Sequence, residues 1–265
     1  MRPTDPDVGD FLRRGALDVE GRLVDASNAT LFCAIEADGV AAKCVYKPVR
    51  GERPLWDFPD GTLAGREVGA YLVAEASGLG GIPPTVLRDG PFGPGMVQLW
   101  IDTDDEAPGL VDVVSPERLR PGWKAILRAH DSDGEPAVLA HSDSPAIARL
   151  AALDVVINNA DRKGGHVLLG TDGGVYGVDH GICLHTEHKL RTVLWGWAED
   201  PMPDEVVDAL ARLRSALGGP LADTLGEHIT RAEVRALRSR VSRLLSAPVF
   251  PSPDTSPYPI PWPAF

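Results

Sequence analysis

Asp161, His166 and Asp179 are the residues best placed by type and spacing to do chemistry. His166 follows Asp161 by five residues, and Asp179 follows it by eighteen. The first two lie in "NNADRKGGHVLL", Asn158 to Leu169, where amides, an acid, bases, glycines and a histidine precede an apolar run. The next stretch, "HVLLGTDGGVYGVD", has a glycine-rich centre between apolar runs and predicts a tight hairpin. Such a hairpin returns Asp179 to the side of the loop. Two carboxylates and an imidazole facing one small volume suit a divalent cation and a proton acceptor. Upstream, Lys47 ends a strand-like run and Glu67 falls on the next helix. A Lys–Glu pair joining strand to helix can hold a cation against a phosphate.

These residues need elements to position them. A short helix within residues 1–20 should lead into strands near 22–25, 30–36 and 41–49, the last two joined by the hairpin signal "ADG". "DGTLAGREVGAYLVAEASGLG" reads as a helix of about four turns ended by Gly78. "GPGMVQLWID" reads as a strand, and two more strands should flank the turn "DSDGE". A helix with Ser144 as N-cap and Pro145 at its first position should deliver the polar loop. Asn159 would be its C-cap or an organiser of the loop. After the hairpin, one amphipathic helix aligns Val206, Leu210, Leu213 and Leu217. A second opens with the capping box Thr230-x-x-Glu233 and aligns Val234, Leu237, Val241 and Leu244, its arginines forming a solvated face. The tail from Pro248 is too proline-rich for helix or sheet and should be extended. The fold class expected is α+β and bilobal: a strand-rich N-lobe over residues 1–105, a mostly helical C-lobe over 106–247, and a proline-rich tail over 248–265.

This layout resembles the protein-kinase-like fold. The closest resemblance is to the phosphatidylinositol 3-/4-kinase superfamily, and within it to type II phosphatidylinositol 4-kinases. It is carried by "NADR" (Asn159 to Arg162), by "VDHG" (Val178 to Gly181) and by "LWGW" (Leu194 to Trp197). The resemblance implies ATP with Mg²⁺ or Mn²⁺ as cofactors and a hydroxyl acceptor: a small polyol, an inositol lipid or a protein side chain. It implies Asp161, Lys163 and Arg162 as catalytic residues, with Asp161 taking the hydroxyl proton and Lys163 stabilising phosphoryl charge. Lys47, Glu67, Ser27, Asn28, Gln98 and Trp100 would surround the nucleotide, with the 98–102 stretch as the inter-lobe hinge. His166 and Asp179 would ligate the metal. Lys189 and Arg191, followed by Trp195 and Trp197, would form the substrate loop and a possible peripheral contact with a membrane edge.

Three departures from that pattern stand out. "DASNAT" has no glycine where a nucleotide-covering loop is usually glycine-rich, so Ser27, Asn28 and Thr30 would supply the donors. His166 stands where an asparagine is usual, and its imidazole nitrogen, a softer ligand than an amide oxygen, shifts metal preference toward Mn²⁺ or Zn²⁺. A neutral ring is needed for ligation, so metal binding should weaken near pH 6.5 if the ring is unperturbed. Lys163 stands where the 3-kinase pattern has histidine. Gly164 and Gly165 would let the backbone pass close to the nucleotide.

Bulk properties narrow the field. With 265 residues, 43% hydrophobic and 24% charged, the chain can bury a sizeable core. Its net charge of −12 argues against nucleic acid as a partner. No secretory pattern opens the sequence and no apolar run reaches membrane-spanning length, so a cytoplasmic location is expected. Cys33, Cys44 and Cys183 do not form a disulfide framework and read as reduced core thiols. His180, His185 and His188 lack zinc-site spacing and read as surface-loop residues. Two other functions fit the same residues: a nucleotide-binding pseudokinase that regulates a partner, and a metal-dependent phosphohydrolase that needs neither ATP nor Lys47.

Overall fold

The computed structural model describes residues 1–23, 28–104, 106–130, 133–253 and 258–265. The architecture is α+β, with antiparallel sheets and a helical core. The first helix, α1 (Val8–Arg14), leads into a five-stranded antiparallel sheet of β1 (Ala16–Arg22), β2 (Leu31–Ala37), β3 (Val40–Pro48), β4 (Thr85–Gly90) and β5 (Gly93–Leu99), in the order β1-β2-β3-β5-β4. The first strand therefore lies earlier than the expected 22–25 stretch and meets it only at Arg22; residues 24 and 25 lie outside the described residues. The β2–β3 turn uses Asp38 at φ 51° and Gly39 at φ 73°, the paired positive φ angles that a two-residue hairpin requires. Alternation in β3 sends Cys44 and Tyr46 into the core against α1, and Val45 and Lys47 toward the opposite face. Cys33 and Cys44 face each other across β2 and β3, both as buried free thiols.

Helix α2 (Leu63–Ser77) starts at Thr62, whose hydroxyl accepts from Gly65 N, and stops at Gly78 in the left-handed region. It joins the sheet to the main core. Ala70, Val73 and Ala74 of α2 pack with the buried faces of α3 (Pro145–Ile157), α4 (Asp204–Leu217) and α6 (Arg231–Ser246). A second sheet precedes α3: β6 (Val111–Val114), β7 (Trp123–His130) and β8 (Pro136–Ser142), in the order β6-β8-β7. Strands β4 and β6 were not legible as strands in the sequence.

Helix α3 begins at Ser144, whose Oγ accepts from Ile147 N, and ends at Asn158, a left-handed C-cap with φ 56°. Asn158, rather than Asn159, is thus the helix stop. The hairpin of β9 (Val167–Leu169) and β10 (Val175–Gly177) follows the polar loop, and the short α5 (Leu221–Leu225) sits between α4 and α6. The capping box at Thr230 and Glu233 is formed. The arginine face of α6 is not uniformly solvated: Arg240 is buried and donates to Val156 O and His185 O. Among the described residues no helix is long and apolar enough to cross a membrane.

Candidate active site

The loop after α3 is built by Asn159. Its side-chain amide donates to Asp154 Oδ1 at 2.9 Å, and its own Oδ1 accepts from Asp161 N at 3.0 Å. This holds the peptide of Asp161 while its carboxylate turns outward, with Lys163 Nζ 3.6 Å from Oδ2. Burial raises the Asp161 carboxyl above its ordinary value, opposed by the Lys163 charge. A carboxylate with raised proton affinity suits a proton acceptor.

Lys47 is the centre of the cluster. Its Nζ lies 2.6 Å from Glu67 Oε1 and 2.8 Å from Asp179 Oδ1. Burial works against its charge, but the two carboxylates more than compensate and hold the ammonium above its usual range. Burial raises the proton affinity of Glu67, and Lys47 opposes this. Glu67 is almost fully buried, and its second oxygen accepts from His180 N at 3.0 Å. One carboxylate therefore ties strand, helix and the "VDHG" turn together. Asp179 sits in the left-handed region at φ 61° with its side chain 51% exposed to the cleft. The neighbouring Lys47 ammonium holds its carboxyl well below the usual range. His166 Nε2 lies 3.5 Å from Asp179 Oδ2. Burial pulls the His166 ring down to about 4, well below the unperturbed 6.5, so it is neutral at pH 7. Its Nδ1 is buried without a hydrogen-bond partner among the described residues.

Two adjoining cavities share Thr30, Lys47, His166 and Asp179. The smaller, about 140 Å³, adds Asn28, Glu52, Glu67, Asp161, Lys163 and Gly181. The larger, about 490 Å³, adds the apolar walls Leu23, Val45, Leu99, Ile101, Leu168 and Val178, with Gln98, Trp100 and Gly165. A charged chamber opening into an apolar one fits a phosphate chain followed by a planar base. Asp179 and His166 could hold a divalent cation. Among the described residues no three His, Cys, Asp or Glu side chains form a cage on their own, so its remaining ligands would be phosphate oxygens and water.

Several expected site residues do other work. Arg162 has the right position in the sequence and the wrong direction in space. It is fully buried, bound to Asp154 through Nε and Nη2, and it donates to His166 O and Val178 O. Its neighbour His180, expected on the surface, is fully buried beside Nη2 of Arg162. Gln98 lines the cleft, but its amide donates to Thr85 Oγ1. Trp100 packs edge-on against Phe32 at 5.0 Å. Asn28 accepts from Arg53 N, which fixes the loop end. Ser27 lies outside the described residues. Lys189 is drawn away to Asp57 at 3.5 Å and Glu187 at 3.7 Å. Arg191 stays close enough for its charge to act on Asp161, and its carbonyl accepts from Arg162 N. Trp195 is buried, and Trp197 stacks on His141 at 4.8 Å. Gly164 meets the Phe265 ring and not the cleft, whereas Gly165 lines it.

Two contributors escaped the sequence reading. The carboxylate of Glu52 accepts from Leu63 N and Ala64 N at 2.9 and 2.8 Å, sealing the start of α2 beside the smaller cavity. Arg66, next to Glu67, is buried and reaches Glu233 Oε1 at 2.6 Å and Cys183 O at 2.8 Å. It anchors α2 to α6, and so holds Glu67 toward Lys47. No motif marks either residue.

No protein-family model matches the sequence. The chain is 54% identical over 262 residues to Protein Rv2133c of Mycobacterium tuberculosis (strain ATCC 25618 / H37Rv), covering 96% of this chain and 94% of that protein. Among solved structures, the crystal structure of the Golgi casein kinase aligns over 92% of this chain and 74% of its own, with TM-score 0.48 and 13% identity. The Helicobacter pylori proinflammatory kinase CtkA aligns over 88% of this chain and 97% of its own, with TM-score 0.40 and 10% identity.

Proposed function

We infer that this chain, which belongs to the same family as Protein Rv2133c, is an ATP-dependent phosphotransferase acting on a hydroxyl acceptor. The observation that carries the reading is the ammonium of Lys47 shared between Glu67 and Asp179 at the junction of a charged and an apolar cavity, with Asp161 in the charged one. Lys47, held by Glu67, would hold the phosphates. Asp161 would accept the acceptor's hydroxyl proton as the oxygen attacks the γ-phosphorus and the bond to the β-phosphate oxygen breaks. Lys163, beside Asp161, would offset charge on the transferring group. Asp179 and His166 would hold Mg²⁺ or Mn²⁺, which when bound neutralises phosphate charge. The apolar chamber would take the base, bounded by Trp100 and Ile101. The "NADR" and "VDHG" stretches support the finer reading, a phosphatidylinositol 3-/4-kinase-like enzyme with a polyol, inositol-lipid or protein acceptor.

The test is ADP release and label transfer from γ-labelled ATP, with Mg²⁺ or Mn²⁺, to inositol, to vesicles carrying phosphatidylinositol and to a protein mixture. Turnover that disappears in Asp161→Asn and Asp179→Asn supports the reading. Metal-dependent ATP binding with no transfer to any acceptor would leave a pseudokinase instead.

A further inference from the structure

The proline-rich tail has no part in the site as described so far, yet its far end returns to the catalytic loop. Pro259 O accepts from Thr192 N at 3.0 Å and from the Trp195 indole at 2.9 Å. Thr192 forms a parallel bridge with Arg162, the residue after Asp161. Further along the tail, Ala264 O accepts from Gly164 N at 2.8 Å. A Cβ on Gly164 would lie 2.3 Å from the Phe265 ring, far inside contact distance. Ile260 and Ala264 pack against the helical core, while Trp262 is 91% exposed. The segment thus holds the loop directly at Gly164 and indirectly, through Thr192, at Arg162.

Gly164 opens the tight turn Gly164–His166 that carries His166 into the cleft. Gly164 is itself buried. A buried N–H must find an acceptor, and the tail supplies it. With the tail gone, the turn would have to relax or solvate, and Asp161 and His166 flank it. The glycine is needed here for the ring of Phe265, not for a nucleotide.

We propose that residues 258–265 are a positioning element of the active site. Ala264 caps Gly164 and Phe265 closes over it, so the placement of Asp161 and His166 depends on the tail. The proposal rests on the phosphotransferase reading for its effect on turnover and stands on the tail contacts for its effect on the loop.

The test is a size swap in the full chain. Gly164→Ala should push Phe265 off, speed proteolysis of the tail, and accelerate amide exchange across residues 162–167. Turnover should fall on the order of 10- to 100-fold, the scale expected for a small misplacement of reacting groups. The KM for metal–ATP should rise by a smaller factor than turnover falls, because Lys47, Glu67 and Asp179 stay in place while Asp161 and His166 shift. The double variant Gly164→Ala/Phe265→Ala gives the new methyl the space of the ring. It should recover tail protection, loop exchange and most of the turnover, which a merely damaged loop would not do. The proposal is overturned if Gly164→Ala leaves the loop exchange unchanged, if it raises turnover, or if the double variant is no better than the single. If the wild-type protein transfers phosphate to nothing, the phosphotransferase reading fails, and the exchange data still decide whether the tail positions the loop.

Discussion

Two ionic clusters lie side by side in this molecule, and they differ in what they leave free. In one, Asp154 and Arg162 are both fully buried. Asp154 accepts from Arg162, Asn159 and Thr192, and Arg162 donates further to two carbonyls. Every strong group there is committed within the protein. In the other, Lys47 is shared by two carboxylates, Asp179 is half exposed, and the His166 ring is only loosely engaged at 3.5 Å. Charge there faces a cavity and can be exchanged for a ligand's charge. Adjacent residues of one motif divide between the two, Asp161 to the open cluster and Arg162 to the closed one. Burial of a charge marks scaffolding when its valence is filled, and marks a site when valence is left over.

The contrast breaks most sharply at that dipeptide. Asp161→Asn should lower turnover by about 10² to 10⁴-fold while thermal stability and nucleotide affinity stay near wild type. Loss of turnover accompanied by loss of fold would move Asp161 into the scaffold. Arg162→Met should do the reverse. Removing one partner of a buried pair strands the other, at a cost on the order of 3–5 kcal/mol in urea denaturation. Replacing Arg162 and Asp154 together with apolar residues should cost less than the sum of the two single changes. If Arg162→Met kept full stability but lost turnover, Arg162 would belong to the site.

The division between the clusters explains what could be read from the sequence. Periodicity found α4 and α6 because each buries one face, whereas α2 and α3, buried on most sides, were located by their caps at Gly78 and at Ser144 with Pro145, as the start of α6 was by Thr230. The Asp161–His166–Asp179 spacing located the cleft because a hairpin converts sequence separation into proximity. Side-chain direction was not legible. Nothing in "DRK" says that the arginine turns inward, since that depends on Asp154, which projects from inside α3. His180 reads as a loop histidine until Glu67 is seen to accept from its backbone. Strand β4, "TVLRDG", has a charged, alternating pattern and becomes a strand only by pairing with β5. The return of the tail to Gly164 joins residues 100 apart through a carbonyl and a ring, with no local signature.

Within the open cluster, the coupling of Lys47 and Glu67 sharpens the comparison at smaller cost. Lys47→Met and Glu67→Gln should each weaken ATP binding, and the double variant should do less damage than the two effects summed. Contacting charges couple by about 0.5–3 kcal/mol in double-mutant cycles. The cycle is best read by ATP titration at fixed Mg²⁺. Strict additivity would mean that Glu67 acts on the nucleotide without Lys47, and that the ion pair is incidental.

The smallest effect concerns a histidine whose valence is filled. His141 is fully buried, donates from Nδ1 to Ser142 O at 2.9 Å, and accepts at Nε2 from Gly196 N at 3.1 Å. That pattern requires the neutral ring, and burial lowers its pKa to about 4. The folded-state pKa of a base is therefore depressed below the unfolded value near 6.5. Above pH 6.5 both states are neutral and the full stability is present. Between about 6.5 and 4 the unfolded chain binds the proton first, so His141 makes stability fall as pH falls, by up to about 1.4 kcal/mol per pH unit. Below about 4 both states are charged and the slope ends. Raised carboxyls such as Asp161 and Glu67 oppose this trend, so the measurement must be differential. Urea denaturation at pH 7.5, 6 and 5 should show His141→Gln with lower stability at pH 7.5, since the two backbone partners lose their best fit. Its dependence on pH between 6 and 5 should nevertheless be shallower than wild type, by close to one proton. Parallel curves for the two proteins would show that the His141 ring is charged in the folded state, and that the closed regions of this molecule are less fully committed than their hydrogen bonds indicate.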